Sequence, residues 1–106
     1  MTKVIFFFYI VFSLCLIDSY ALNNKNKTEK IFQICAKCHG KNGKNRAFGT
    51  SEIIAGEDVD DLIESIMFYK QSDFKRHSAI KVMVKYIKKL DNEDIKNLAV
   101  YISKLK

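Results

Sequence analysis

Proline and tryptophan are absent from this sequence, and only four glycines and two histidines occur in 106 residues. Without glycine at every third position and without proline, a collagen-like triple helix is excluded. Heptad repeats and low-complexity tracts are missing as well, which excludes a long coiled coil and a compositionally biased linker. Strand-like alternation of polar and apolar residues is nearly absent. There is no glycine-rich phosphate loop, no Ser/His/Asp set and no paired-carboxylate motif, so no separate catalytic apparatus is visible. The length allows one small domain and excludes a multidomain enzyme with a large substrate cleft. At 48% hydrophobic and 28% charged, the chain is too apolar for a disordered tail.

What is present is an excess of positive charge, 18 Lys and Arg against 12 Asp and Glu, and three cysteines. The first 21 residues read as a secretory signal. Lys3 is its positive end, the 14 residues from Val4 to Ile17 are its apolar centre, and Ser19-Tyr20-Ala21 sets small residues where a signal peptidase inspects them. Fourteen residues fall short of the roughly 20 needed to span a bilayer. Cleavage after Ala21 leaves residues 22–106, an 85-residue domain in the periplasm; an uncleaved segment would act as a membrane tether. One Lys and one Asp leave together, so the charge stays at +6, and Cys15 leaves too. Such a small exported domain needs reinforcement that Cys35 and Cys38, three residues apart, cannot supply by closing a disulfide loop.

The mature chain reads as all-α, with three or four helices. Residues 22–27 are polar and predicted to fray, and Thr28 is the expected N-cap of a helix presenting Ile31, Phe32, Ile34, Cys35 and Cys38, with Gly40 as its stop. Residues 40–57 hold all four glycines and read as an irregular loop, long enough in so small a domain to suggest that it covers a bound group. Asp58 or Asp60 opens a second helix through Tyr69. A short basic segment spans 79–90, and Asp91-Asn92-Glu93-Asp94 caps a final helix with the stripe Ile95, Leu98, Ala99, Ile102, Leu105.

Cys35-Ala36-Lys37-Cys38-His39 has the C-x-x-C-H spacing of covalent haem attachment. Cysteines at i and i+3 on a helical turn face one side and can reach both vinyl groups of one porphyrin, while the adjoining imidazole can bind its iron. A thioredoxin-like dithiol would need a preceding strand, and a zinc site would lack a well-spaced fourth ligand, since only His39 and His77 are available.

With these residues in view, the sequence resembles the small bacterial class I monohaem cytochromes c, most closely the cytochrome c-553 type, from about Thr28 to Leu105. The resemblance rests on Cys35-x-x-Cys38-His39-Gly40, on Lys88-Lys89-Leu90-Asp91-Asn92-Glu93-Asp94 and on the Leu98–Leu105 ending. It implies a class I cytochrome c fold around one covalent haem c, with the first and last helices crossing at Phe32 and Tyr101. It also implies His39 as proximal ligand and Met83 as distal ligand. Met67, in an amphipathic helix, reads as core filling; His77 is the other alternative and would lower the potential relative to a thioether. Many relatives orient the haem histidine with a proline carbonyl. Without proline, a carbonyl from residues 48–54 must replace it if that bond is made.

Two side-chain ligands leave no open iron site, so the expected role is a one-electron carrier and not an enzyme. A haem-based ligand sensor or peroxidase-like protein would need a vacant sixth position, and a haem subunit of a larger oxidoreductase would be isolated in a fixed-ratio complex. Nucleic acid is a poor partner for an exported chain, and stable membrane insertion is not expected once the signal is removed. Lys70, Lys75, Arg76, Lys81, Lys85, Lys88 and Lys89 gather around the distal segment, and Lys37 lies inside the motif. This basic face suits redox protein partners that are acidic where they dock, met by the cytochrome as a monomer.

Overall fold

A computed structural model describes the backbone of residues 2–73 and 78–106, and the side chains of 19–73 and 80–106. Four α-helices follow one another: α1 (Thr2–His39), α2 (Val59–Gln71), α3 (Ser78–Ile87) and α4 (Asn92–Ser103). A 3-10 turn at Ala47–Gly49 interrupts the long loop between α1 and α2. No strand occurs among the described residues. The all-α expectation therefore holds, in the four-helix form.

α1 begins far earlier than the expected start at Thr28. The Thr28 hydroxyl donates to the carbonyl of Asn24, one turn back, at 2.9 Å, and the residue is buried at 6% exposure. A threonine that bonds its i−4 carbonyl sits inside a helix and caps no free N–H. Residues 22–27 are helical for the same local reason: no proline or glycine lies between Thr2 and His39 to stop propagation. The helix runs without interruption through the expected cleavage point after Ala21. Among the described residues, no helix is long and apolar enough to cross a membrane.

Gly40 ends α1. Its φ is +85°, and its N–H returns to the Ala36 carbonyl at 2.8 Å, a left-handed helix stop that an L side chain resists. A Cβ here would also lie 2.8 Å from Asn45 Cγ. The loop is then fastened at its far end. Ala55 donates to the Gly43 carbonyl at 3.0 Å, and Gly56 donates to Ile102 on α4 at 3.1 Å. Within it, Phe48 is exposed and holds φ +54°, an uncommon conformation for a bulky residue.

Of the two expected starts, Asp58 is the cap of α2, accepting from the N–H groups of Asp60 and Asp61. Asp91 caps α4 in a reciprocal box with Asp94: Asp94 donates its N–H to the Asp91 side chain at 2.8 Å, and Asp91 donates its own to the Asp94 carboxylate at 3.2 Å. α4 is the centre of the packing and lies against both α1 and α2, while α3 packs on α2. Its stripe Ile95, Leu98, Ala99 and Ile102 is buried throughout, and Ala99 is wholly inaccessible. Each of the larger side chains contributes about 1.5–3 kcal/mol by leaving water. Phe32 of α1 meets Tyr101 of α4 at 5.1 Å between ring centroids. The predicted helix crossing is therefore present.

Two polar ties hold the earlier part of α1 to the start of α4. Lys27 Nζ lies 2.9 Å from Asp94 Oδ1, and the Tyr20 hydroxyl donates to Glu93 at 3.1 Å. For Asp94, partial burial acts to raise the carboxyl, but the hydrogen bond from Lys27 and those of the cap outweigh it and hold the group below the ordinary 3.8.

Candidate haem site

The helix that supplies the motif stops where the motif ends, so Cys35, Cys38 and His39 occupy the last turn of α1 and the connection out of it. Cys35 is half-buried against the core, and its Sγ makes a long contact of 3.6 Å to the Ile31 carbonyl. Burial pushes this thiol up to about 11, so at neutral pH it is protonated. Cys38, one turn on, is exposed, and the two are not joined as a disulfide. Position i+3 puts both sulfurs on one side of the helix.

His39 is half-buried, and burial lowers its imidazole below the ordinary value, favouring the neutral ring. Its Nδ1 is shut away from solvent with no hydrogen-bond partner. With Nδ1 turned into the protein, Nε2 is the nitrogen available to a ligand. The substitute carbonyl sought in residues 48–54 is therefore not engaged. Asn45 instead bonds the main chain of the histidine, donating to the His39 carbonyl at 2.8 Å and pinning the loop under the motif.

The two methionines weighed as distal ligand are both half-buried against the core, Met67 on α2 and Met83 on α3. Burial does not separate them. Tyr86 lies one turn beyond Met83 on the same face, and its phenol is raised first by burial and then by the nearby Cys35 and Asp94. His77 lies outside the described residues. The expected basic face is also altered: Lys37, Lys81, Lys85, Lys88 and Lys89 are exposed, Lys75 and Arg76 lie outside the described residues, and Lys70 is drawn inward.

Two reduced cysteines on one turn and a neutral histidine beside them fit a covalently held haem. The histidine also has its Nδ1 already buried. The architecture is that of the class I haem-binding α-fold. Residues 26–106 match the cytochrome c family. The chain is 24% identical over 98 residues to cytochrome c-553 of Nitratidesulfovibrio vulgaris (strain DSM 19637 / Miyazaki F), covering 91% of this chain and 95% of that protein. It is 39% identical over 72 residues to cytochrome c-553 of Helicobacter pylori (strain J99 / ATCC 700824), covering 68% and 71% respectively. The chain belongs to the class I c-type cytochromes, in the monohaem cytochrome c-553 family. It carries one covalent haem c, transfers electrons to and from redox partner proteins, and is a carrier with no catalytic activity of its own.

Sequence reasoning missed three contributors. The Lys27–Asp94 pair was hidden because 22–27 read as a frayed end. Tyr86 carried only the signal of an aromatic three residues after Met83. Lys70 read as one more docking lysine, although its place in the last turn of α2 marks it as a candidate cap for backbone carbonyls.

Proposed function

We propose that the chain is exported, loses residues 1–21, and works in the periplasm as a soluble, monomeric one-electron shuttle with its haem ligated by His39 and Met83. Cys35 and Cys38 hold the haem through thioethers. When bound, the haem iron supplies the redox couple, alternating between Fe(II) and Fe(III). The protein's part is to fix that group in a dry, unchanging environment. His39 offers a neutral imidazole from a helix end that Gly40 and Asn45 hold in place, and Met83 on α3 would supply the second ligand. With His39 and Met83 both held to the iron, no site would remain for oxygen or substrate, and little would need to move when an electron arrives.

The buried Nδ1 of His39 is the observation that carries this reading, because it leaves the other ring nitrogen for the iron. Exposed Lys81 and Lys85 on α3, with Lys88 and Lys89 just beyond it, flank Met83 and suit a partner that is acidic at its docking face. Removal of the leader takes the Tyr20–Glu93 bond with it, while Lys27–Asp94 remains in the mature domain beside the Phe32–Tyr101 contact of the same two helices.

Oxidised and reduced visible spectra with a redox titration test the centre. A single one-electron wave and a weak long-wavelength sulfur-to-iron band in the ferric protein are expected. Rapid, complete carbon monoxide binding to the reduced protein would instead mark an open sixth position and overturn the carrier geometry. N-terminal sequencing of the exported protein reads the cleavage point.

A further inference from the structure

Lys70 stands apart from the exposed lysines around it. It sits in the last turn of α2, is half-buried, and turns its ammonium back to the main-chain carbonyl of Leu90, twenty residues away. Leu90 is no ordinary loop residue. It is buried at 5% exposure, its own N–H donates to Ile87 at 3.0 Å to close the end of α3, and the next residue is the Asp91 cap of α4. One side chain of α2 therefore holds the junction of the two following helices.

Met83 lies on α3 about one turn before its end at Ile87, and Leu90 follows three residues beyond that end. A slip at the junction is passed along α3, because Val84, Ile87 and Leu90 are all buried and move with it. A neutral thioether has no charge to hold it at a metal and depends on the surrounding protein for its position. We propose that Lys70 is a positioning residue for the distal ligand: by holding the Leu90 carbonyl it fixes the α3–α4 junction and keeps the Met83 thioether at the iron. The proposal rests on Met83 as the ligand, and it withdraws Lys70 from the docking surface.

The test uses the ferric holoprotein, as wild type, Lys70→Met, Lys70→Arg and Met83→Ala. Two properties are read: the temperature at which the sulfur-to-iron band is lost, compared with the melting of the helices, and the rate at which added cyanide takes the iron after methionine leaves. Lys70→Met, which keeps the aliphatic stem, is expected to bind cyanide about tenfold faster, the effect of losing one charge-assisted hydrogen bond. Its band should vanish well before the helices melt. Lys70→Arg, which can still donate to Leu90, should return both readings most of the way to wild type. If Lys70→Met lowers helix melting and band loss together and leaves the cyanide rate unchanged, its role is only structural and the proposal is overturned. A band that survives Met83→Ala removes the ligand assignment itself, a different result from a Lys70 variant without effect.

Discussion

Phe32 and Tyr101 meet at 5.1 Å between ring centroids and are tilted by 46°, joining the helix that carries the haem motif to the last helix of the domain. Phe32 is 3% exposed, so its removal leaves a cavity at the crossing. Phe32→Ala is expected to cost about 3–5 kcal/mol in urea unfolding of the holoprotein. In a double-mutant cycle with Tyr101→Ala, the two rings should couple by about 0.5–1.5 kcal/mol. Strict additivity would show that the rings fill space independently.

The two methionines separate by substitution. Met83→Ala should abolish the sulfur-to-iron band and allow carbon monoxide to bind the reduced protein, with the reduction potential falling as the thioether is lost. Met67→Leu conserves volume in a half-buried place and should cost less than about 1.5 kcal/mol, with the band retained. Exchanged outcomes would transfer the ligand to α2.

Acid stability tests the tie between α1 and α4. Asp94 is held below 3.8 in the folded protein, so its contribution to stability is complete above the ordinary value and is lost as pH falls through the depressed one. Wild type should therefore lose stability steadily on acidification below about pH 4. Asp94→Asn should flatten that part of the curve, and Lys27→Met should flatten it in part, because the cap hydrogen bonds remain. Unfolding free energies measured between neutral pH and pH 2.5 decide the matter.

Gly40 should tolerate no side chain. Gly40→Ala combines a positive φ with a Cβ placed 2.8 Å from Asn45 Cγ, and Asn45 is the residue that donates to the His39 carbonyl. A loss of about 1–3 kcal/mol is expected. The Soret maximum should shift as the histidine connection is disturbed. A variant of wild-type stability and spectrum would mean that Asn45 moves aside freely.

Steering by the basic face is read from salt dependence. Lys85→Glu or Lys88→Glu should slow electron transfer to an acidic partner severalfold at low ionic strength, with the difference shrinking as salt rises. The electron-transfer rate of wild type should itself fall with salt; a flat profile would dispose of the steering idea.

Much of the fold was legible because its determinants are local. The α4 stripe and the Asp91 box name a helix and its start from residues three and four apart, and Asp58 does the same for α2. The haem motif is equally local, since its spacing and the helical turn that meets it lie within five residues. Thr28 was misread for a physical reason: the same hydroxyl that caps a helix start can bond an i−4 carbonyl inside one, and the surrounding residues choose between them. Met83 and Met67 could not be ranked by periodicity alone, because both sit on amphipathic stretches of the same kind.

The amino-acid sequence by itself determined the class of the protein. Two cysteines and a histidine on one turn, in a short chain without proline and with little strand-like alternation, leave little but a covalent haem in a small α-domain. Only the tertiary structure decided which nitrogen of His39 turns inward, that Lys27 reaches Asp94, and that Lys70 leaves the charged surface to hold Leu90. Each of those depends on groups far apart in sequence meeting at a set distance, and a hydrogen bond or a buried atom exists only once that distance is made.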